Sequence, residues 1–316
     1  MPTTVKRTGP LAASGQRRMR ASQAPAQPGL FRRLMLGLDR LKDDVLRPGA
    51  RLPPPRSTYC YLGNDRALAL THQGHKIYLD TRDIGITPHI AIHGCWELEV
   101  EMALARLMKP RQRVIEVGAN MGYHTLAMAQ AIGPGGDLHA IEANPRALAL
   151  LRDTLAVNGF AEMTTVHAVA ALDQAGEVTF DANPHHIGSG HWGLPAAEAR
   201  GYTNSFTVPA VTLDGLLLER MGRVDLLRMD AEGSEPQVLR GAEQLILNSP
   251  NIRIVTEWSP GMMQVRTDIP ALVAWLEGMG FRFWRIGAQG RLEPVPGRHL
   301  VALTHCELVM SRQTPE

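Results

Sequence analysis

The stretch RVIEVGANMGYHTLAMAQAI, Arg113 to Ile132, restricts the chain more than any other. A short apolar run (Val114, Ile115, Val117) leads into Gly118 and Gly122. An apolar pattern with a period of about 3.6 residues, carried by Leu126, Ala129 and Ile132, follows at once, so the stretch reads as strand, tight turn and helix. The glycines let the backbone approach a ligand with no Cβ in the way. The first amides of the helix, which have no intrahelical acceptor, point to the same place. The unit is the βα turn of a nucleotide-binding α/β fold.

The spacing here is G-x-N-x-G and not the G-x-G-x-x-G that seats a pyrophosphate. S-adenosylmethionine has no phosphate and offers an amino-acid head, a sulfonium and an adenosine. Glu116 at the strand end suits an ammonium and a cationic sulfur better than a phosphate. Glu142 closes a second apolar run (Leu138, Ala140, Ile141), where a carboxylate can accept both ribose hydroxyls. A third strand is expected over Thr164 to Ala170, and its exit at Ala171 falls where the adenine would lie. The candidate cofactor residues are therefore Glu116, Gly118, Asn120, Gly122, Glu142 and Ala171. A Gly-rich turn alone can serve only to pack a helix on a sheet; two strand-end acids and Asn120 are what favour a cofactor. An NAD-dependent oxidoreductase is the rival from another enzyme class, and the missing third glycine counts against it.

With 316 residues, 44% of them hydrophobic, the chain can bury a sizeable core. Lys+Arg 33 against Asp+Glu 31 leaves no global field for nucleic acid or membrane. Cys60, Cys95 and Cys306 are too scattered for a disulfide framework or a zinc pattern. No apolar stretch is long enough to span a bilayer, so a cytoplasmic protein is expected. Nothing in the sequence bears on oligomeric state.

Residues 1–56 are expected to form a disordered basic arm, rich in Ala, Pro, Ser and Gln, containing a short amphipathic helix over Leu30 to Leu46 and a Pro-rich linker. Residues 57–110 should hold a β meander from Tyr59 to Asp80, a loop carrying His89, His93 and Trp96, and a lead-in helix ended by Pro110. Residues 111–316 should form the catalytic domain. Within it Asn144 and Pro145 mark a helix start, and the segment from Asn183 to Phe206 reads as a long polar loop. The C-terminal runs RLEPV and HCELVMS are expected to pair antiparallel.

The second decisive stretch is VDLLRMDAEGSEPQVLRGAEQLI, in which an apolar run ends at Asp230 and a helix starts near Ser234. Ligands of a doubly wound sheet sit outside the carboxyl ends of its strands, which puts Asp230 and Glu232 at the mouth. Acids at a helix N-terminus can instead serve only the helix dipole, which would account for Glu232 or Glu235 but not for Asp230. The next strand, NIRIVTEW, ends beside it at Glu257.

Taken in order, VIEVGANMGYHT, IEANP, VTLDGL, DLLRMDAEGSEPQVLRGAEQLI and TEW resemble the FkbM-type family of S-adenosylmethionine-dependent methyltransferases, from about Arg111 to Pro260. GCWELE is similar to the family's lead-in. The resemblance implies a class I, Rossmann-like fold with a seven-stranded, mostly parallel sheet and an antiparallel last strand. It also implies that Glu116, Gly118, Asn120, Gly122 and Glu142 line the cofactor, and that Asp230-Ala231-Glu232-Gly233 is the turn at the reacting end. The family usually has Asp at the position of Glu116 and Lys at that of Arg228; both changes keep the charge. Members commonly methylate hydroxyls of sugars or secondary metabolites, so a small-molecule or glycan acceptor is expected. A protein or nucleic-acid acceptor is the alternative, although the chain lacks the N-P-P-Y or D-P-P-Y tetrad that often marks methylation of bases.

An alcohol must lose its proton to attack a methyl group, which calls for a base or for a metal that lowers its pKa. Asp230, with Glu232 and His124, is the catalytic candidate. Asp230 and Glu257 are also candidate ligands for magnesium, which takes oxygen donors. His185, His186 and His191 are rival bases.

Overall fold

The computed structural model describes residues 59–192 and 204–315. The expected arm, its Leu30–Leu46 helix and part of the polar loop lie outside the described residues. The chain opens with β1 (Tyr59–Gly63), β2 (Arg66–Leu70) and β3 (Lys76–Asp80), followed by α1 (Ile86–His93) and α2 (Leu98–Leu107). Next come β4 (Arg113–Val117), α3 (Tyr123–Ile132), β5 (Asp137–Ile141), α4 (Pro145–Val157), β6 (Thr164–His167) and β7 (Ala170–Ala171). Three strands, β8 (Gly176–Asn183), β9 (His186–Trp192) and β10 (Asn204–Val211), precede α5 (Leu213–Met221), β11 (Leu226–Met229), α6 (Glu235–Gly241) and α7 (Glu243–Leu247). The rest is β12 (Arg253–Trp258), α8 (Pro260–Met263), α9 (Ile269–Gly278), β13 (Arg282–Ile286), β14 (Leu292–Val295), α10 (Gly297–Leu300) and β15 (Cys306–Ser311).

The main sheet runs β14-β13-β15-β12-β11-β4-β5-β6. The five strands from β12 to β6 are mutually parallel, and β15 runs antiparallel to β12. Parallel strands covered by helices are buried on both faces, hence their unbroken apolar runs. Successive side chains point to opposite faces: Ile115, Leu227, Ile254 and Leu308 join the core on one side, with Leu217, Leu239 and Leu276. Val114, Leu226, Val255 and Val309 join the other, with Leu104 of α2 and Met128 of α3.

The sheet has eight strands where seven were expected. After β13 the chain turns back at Gly287–Arg291 and adds β14 as a hairpin arm on the outer edge. For the same reason the two C-terminal runs do not pair with each other: β13 lies between β14 and β15 and pairs antiparallel with both. The expected third strand also breaks after His167. Ala170 and Ala171 leave the main sheet to pair with β10 in a second sheet of order β7-β10-β8-β9.

The segment read as a long loop contains β9, antiparallel to β8. Its residues, HIGSGHW, carry no apolar alternation, so nothing local announces a strand. Gly190 is needed there because a Cβ would stand 2.1 Å from the Phe180 ring of β8. His89 and His93, read as loop residues, are on α1. Asp83 starts that helix by accepting the amides of Ile86 and Thr87 at 2.9 and 2.6 Å. The meander is as the alternation predicts, with Asn64 and Asp65 both at positive φ in its first turn. It is held to α4 by the Tyr78 amide donating to Thr154 Oγ1 at 3.0 Å.

Candidate active site

A cavity of about 440 Å3 opens at the carboxyl ends of β4, β5, β11 and β12, within the range of roughly 300–1,000 Å3 that small-ligand clefts span. Its far wall is the β8–β9 hairpin, fixed from several sides. His191 Nδ1 donates to the Glu232 carbonyl, Trp192 Nε1 donates to Ser234 Oγ, both at 3.0 Å, and Arg266 Nη2 donates to the Trp192 carbonyl at 2.6 Å. At its other end the Ile187 amide donates to Asp83 Oδ1 at 3.1 Å.

The β4–α3 turn is set by conformation and by close approach. Gly118 has φ +79°, and a Cβ there would lie 1.9 Å from the Asp230 carbonyl oxygen, so only glycine lets the β4 and β11 turns touch. Asn120 stands in the turn at φ 51°. Its amide donates to Glu142 Oε2 at 2.7 Å, and the Asn144 amide donates to Glu142 Oε1 at 2.7 Å. Glu142 is thereby held facing the cavity with further lone pairs to offer. Burial pushes its carboxyl up to about 7, against those two amide bonds.

Arg228 organises the neighbouring strand ends. It is 4% exposed and reaches Asp230 Oδ2 at 3.0 Å, the Gly118 carbonyl at 3.2 Å, and Glu116 Oε1 and Glu97 Oε2 at 3.6 Å each. Glu97 has φ 45° and lies at the start of α2. Burial works against its ionisation, but the hydrogen bond and charge of His124 and the charge of Arg228 hold it below the ordinary carboxylate range. Asp230 is held above its range by burial and by Glu97, against the pull of Arg228. Burial, with Asp230, Glu235 and Glu97, raises Glu232 well above its range. Further out, burial and the surrounding acids push Glu257 up to about 10, and Glu307 is pushed up to about 8.

Gly118, Asn120, Glu142, Ala171, Asp230, Glu232 and Glu257 all line this one cavity. Glu116, Gly122 and His124 are not on its wall. Glu116 is fully buried on the sheet face beneath α3, where Oε2 accepts from Thr125 Oγ1 at 2.5 Å. Two residues from Val114 in the same strand, it shares that residue's face and turns under the helix rather than outward. Gly122 starts α3 at φ +94° and packs on Leu151. His124 is 3% exposed, and its Nε2 donates to Glu97 Oε2 at 3.0 Å behind the turn. Of the rival histidines, His186 lines the cavity, His185 is exposed, and His191 is buried and bonded as above.

Glu97, Glu307, His305 and Arg228 were not assigned roles from the sequence. Arg228 is legible as a cation beside Asp230; the others are brought in by the lead-in helix and by the reversed strand β15. For a metal, Asp230 already pairs with Arg228, and Glu257 Oε1 pairs with His305 Nδ1 at 3.0 Å. Among the described residues no group of three or more His, Cys, Asp and Glu side chains is arranged to hold a metal ion.

The family model described as the methyltransferase FkbM domain matches residues 116–283, just over half of the chain. Ribosomal RNA large subunit methyltransferase E of Sorangium cellulosum (strain So ce56) is 36% identical over 97 residues, which cover 31% of this chain and 44% of that protein. The chain thus spans less than half the length of this relative. An O-methyltransferase from Bacillus cereus, solved with SAH, shares 13% identity over 71% of this chain and 84% of that one, with a TM-score of 0.41. A TehB-like SAM-dependent methyltransferase from Corynebacterium glutamicum ATCC 13032 Kitasato shares 10% over 72% and 94%, with a TM-score of 0.40. Structural likenesses this low decide nothing about this chain; the strand order and the family match carry the weight.

Proposed function

The chain belongs to the FkbM methyltransferase family, and on that premise we propose that it methylates a hydroxyl of a sugar or secondary metabolite with S-adenosylmethionine as donor. The acidic lining of the cavity is the observation that carries this reading. Among the described residues its wall includes Glu97, Glu142, Asp230, Glu232, Glu257 and Glu307 and no Lys or Arg, the environment a sulfonium fits and a diphosphate does not. When bound, the cofactor supplies an electrophilic methyl group. In this reading Glu142 accepts from the ribose hydroxyls, and the backbone of Gly118 and Asn120 lies along the middle of the ligand. Ala171 borders the adenine end.

Methyl transfer is an in-line displacement, so alignment and exclusion of water are the chain's main tasks. The pinned β8–β9 hairpin walls the cavity on the side opposite the strand ends. Asp230 is the base: Arg228 grips Oδ2 and fixes the carboxylate, leaving Oδ1 to take the hydroxyl proton. His124 acts behind it by holding Glu97, and Glu232 lines the cavity at the same turn. A magnesium ion on Asp230 and Glu257 fits less well, since Asp230 Oδ2 is already paired with Arg228 and Glu257 Oε1 with the His305 ring. The relative named for ribosomal RNA makes an RNA acceptor a second reading, but an acidic cavity repels phosphates.

Calorimetric titration with S-adenosylmethionine and with NAD tests the cofactor assignment: binding of the former alone supports it, and binding of NAD alone overturns it. Asp230→Asn should abolish methyl transfer and leave cofactor affinity nearly unchanged; a variant that still turns over removes Asp230 as base. Turnover that survives EDTA sets magnesium aside.

A further inference from the structure

At the β12–β15 end of the cavity one carboxylate oxygen has no partner. The Glu257 side chain is 9% exposed and lines the cavity; Oε1 pairs with His305, while Oε2 is buried without any hydrogen bond. A buried polar atom left unpaired costs about 1–3 kcal/mol, so its place is that of a ligand's donor. The donor should be a cation. Glu257 stands directly opposite Glu307 in the antiparallel pairing of β12 with β15, and Asp230 and Glu232 line the same end. Arg228 answers Asp230, and the bound methyl donor brings two positive charges and one negative, which leaves Glu257 and Glu307 without a cation of their own.

The orphan oxygen is also in the wrong place to serve the donor. Glu142 lies just past the end of β5, and β4 and β11 intervene before β12. At about 4.8 Å per strand that is about 14 Å from the ribose site, beyond the turn of Asp230 where the methyl group is transferred. Resting on the methyltransferase reading of this cavity, we propose that the acceptor carries a protonated amino group beside the hydroxyl that is methylated, as an amino sugar does, and that Glu257 Oε2, with Glu307, receives that ammonium. The raised Glu257 and Glu307 carboxyls are the electrostatic counterpart: each acid is disfavoured by the others until a cation arrives.

Calorimetry on protein saturated with S-adenosylhomocysteine tests this with three probes of one shape, glucosamine, glucose and glucuronate. Glucosamine should bind at least about tenfold more tightly than glucose, and glucuronate least. Glu257→Gln should bring glucosamine to the level of glucose while S-adenosylhomocysteine affinity stays within about twofold of the wild-type value. Glu307→Gln serves as the second variant, with the thermal unfolding of both checked first, and the wild-type ranking stands without either. Equal binding of the three sugars, preference for glucose or glucuronate, no glucosamine binding to the saturated protein, or a large loss of S-adenosylhomocysteine affinity in Glu257→Gln overturns the proposal. If S-adenosylhomocysteine does not bind the wild-type protein, it is the methyltransferase reading that fails.

Discussion

Gly118→Ala tests the contact on which the site is built. The added Cβ would stand 1.9 Å from the Asp230 carbonyl oxygen, about 1.5 Å short of the 3.4 Å at which ordinary contact begins. The opposing atom is backbone and cannot swing away, so the β4 and β11 turns must part. Parting them strains the Asp230 amide bond to the Val117 carbonyl (3.0 Å) and the Arg228 bond to the Gly118 carbonyl (3.2 Å). Forcing alanine to φ +79° costs about 1–2 kcal/mol, overpacking about 1–3 more, and each of the two weakened hydrogen bonds about 1, so a loss of roughly 4–7 kcal/mol is expected. Urea unfolding measures it, and calorimetry with S-adenosylhomocysteine should show affinity lost in parallel. A variant destabilised by less than about 1 kcal/mol with affinity intact would refute the direct contact of the two turns.

Three further outcomes follow from the charges. Arg228→Met leaves Glu116 buried without its counter-ion and should cost about 3–5 kcal/mol in urea unfolding, with Arg228→Lys recovering part of it; a loss shared equally by both variants would show that shape, not charge, matters. Stability should fall between pH 5 and pH 8. Glu142 and Glu235 are each raised from an ordinary value of 4.5 to about 7, so the folded chain holds protons that the unfolded chain has released. Their contribution is complete below the unfolded value and is lost as pH rises through about 7, on the order of 3 kcal/mol for each buried carboxyl. Glu142→Gln should flatten that profile in urea titrations run across the range, and an unchanged slope removes Glu142 from it. Thr125→Val removes the hydroxyl that donates to Glu116 at 2.5 Å and should cost about 1–3 kcal/mol by thermal or urea unfolding; no loss would mean that Glu116 is already satisfied without it.

The sequence by itself determined what depends on neighbours along the chain. The Gly118 turn, the Asn144 cap with Pro145 behind it, and the acid closing each strand are local patterns, because backbone sterics and capping bonds act over a few residues. Alternation was enough for the meander and failed for β9, where HIGSGHW is a strand only because β8 and the pinned hairpin make it one. Tertiary structure alone decided which acids share a space. Whether Glu116 turns under α3 while Glu142 faces the cavity is a matter of strand face, and which residues meet Glu257 is a matter of register across β12 and β15. Burial then sets their charge. Desolvation and repulsion depend on every group within a few ångströms in space, and no spacing along the chain records that distance.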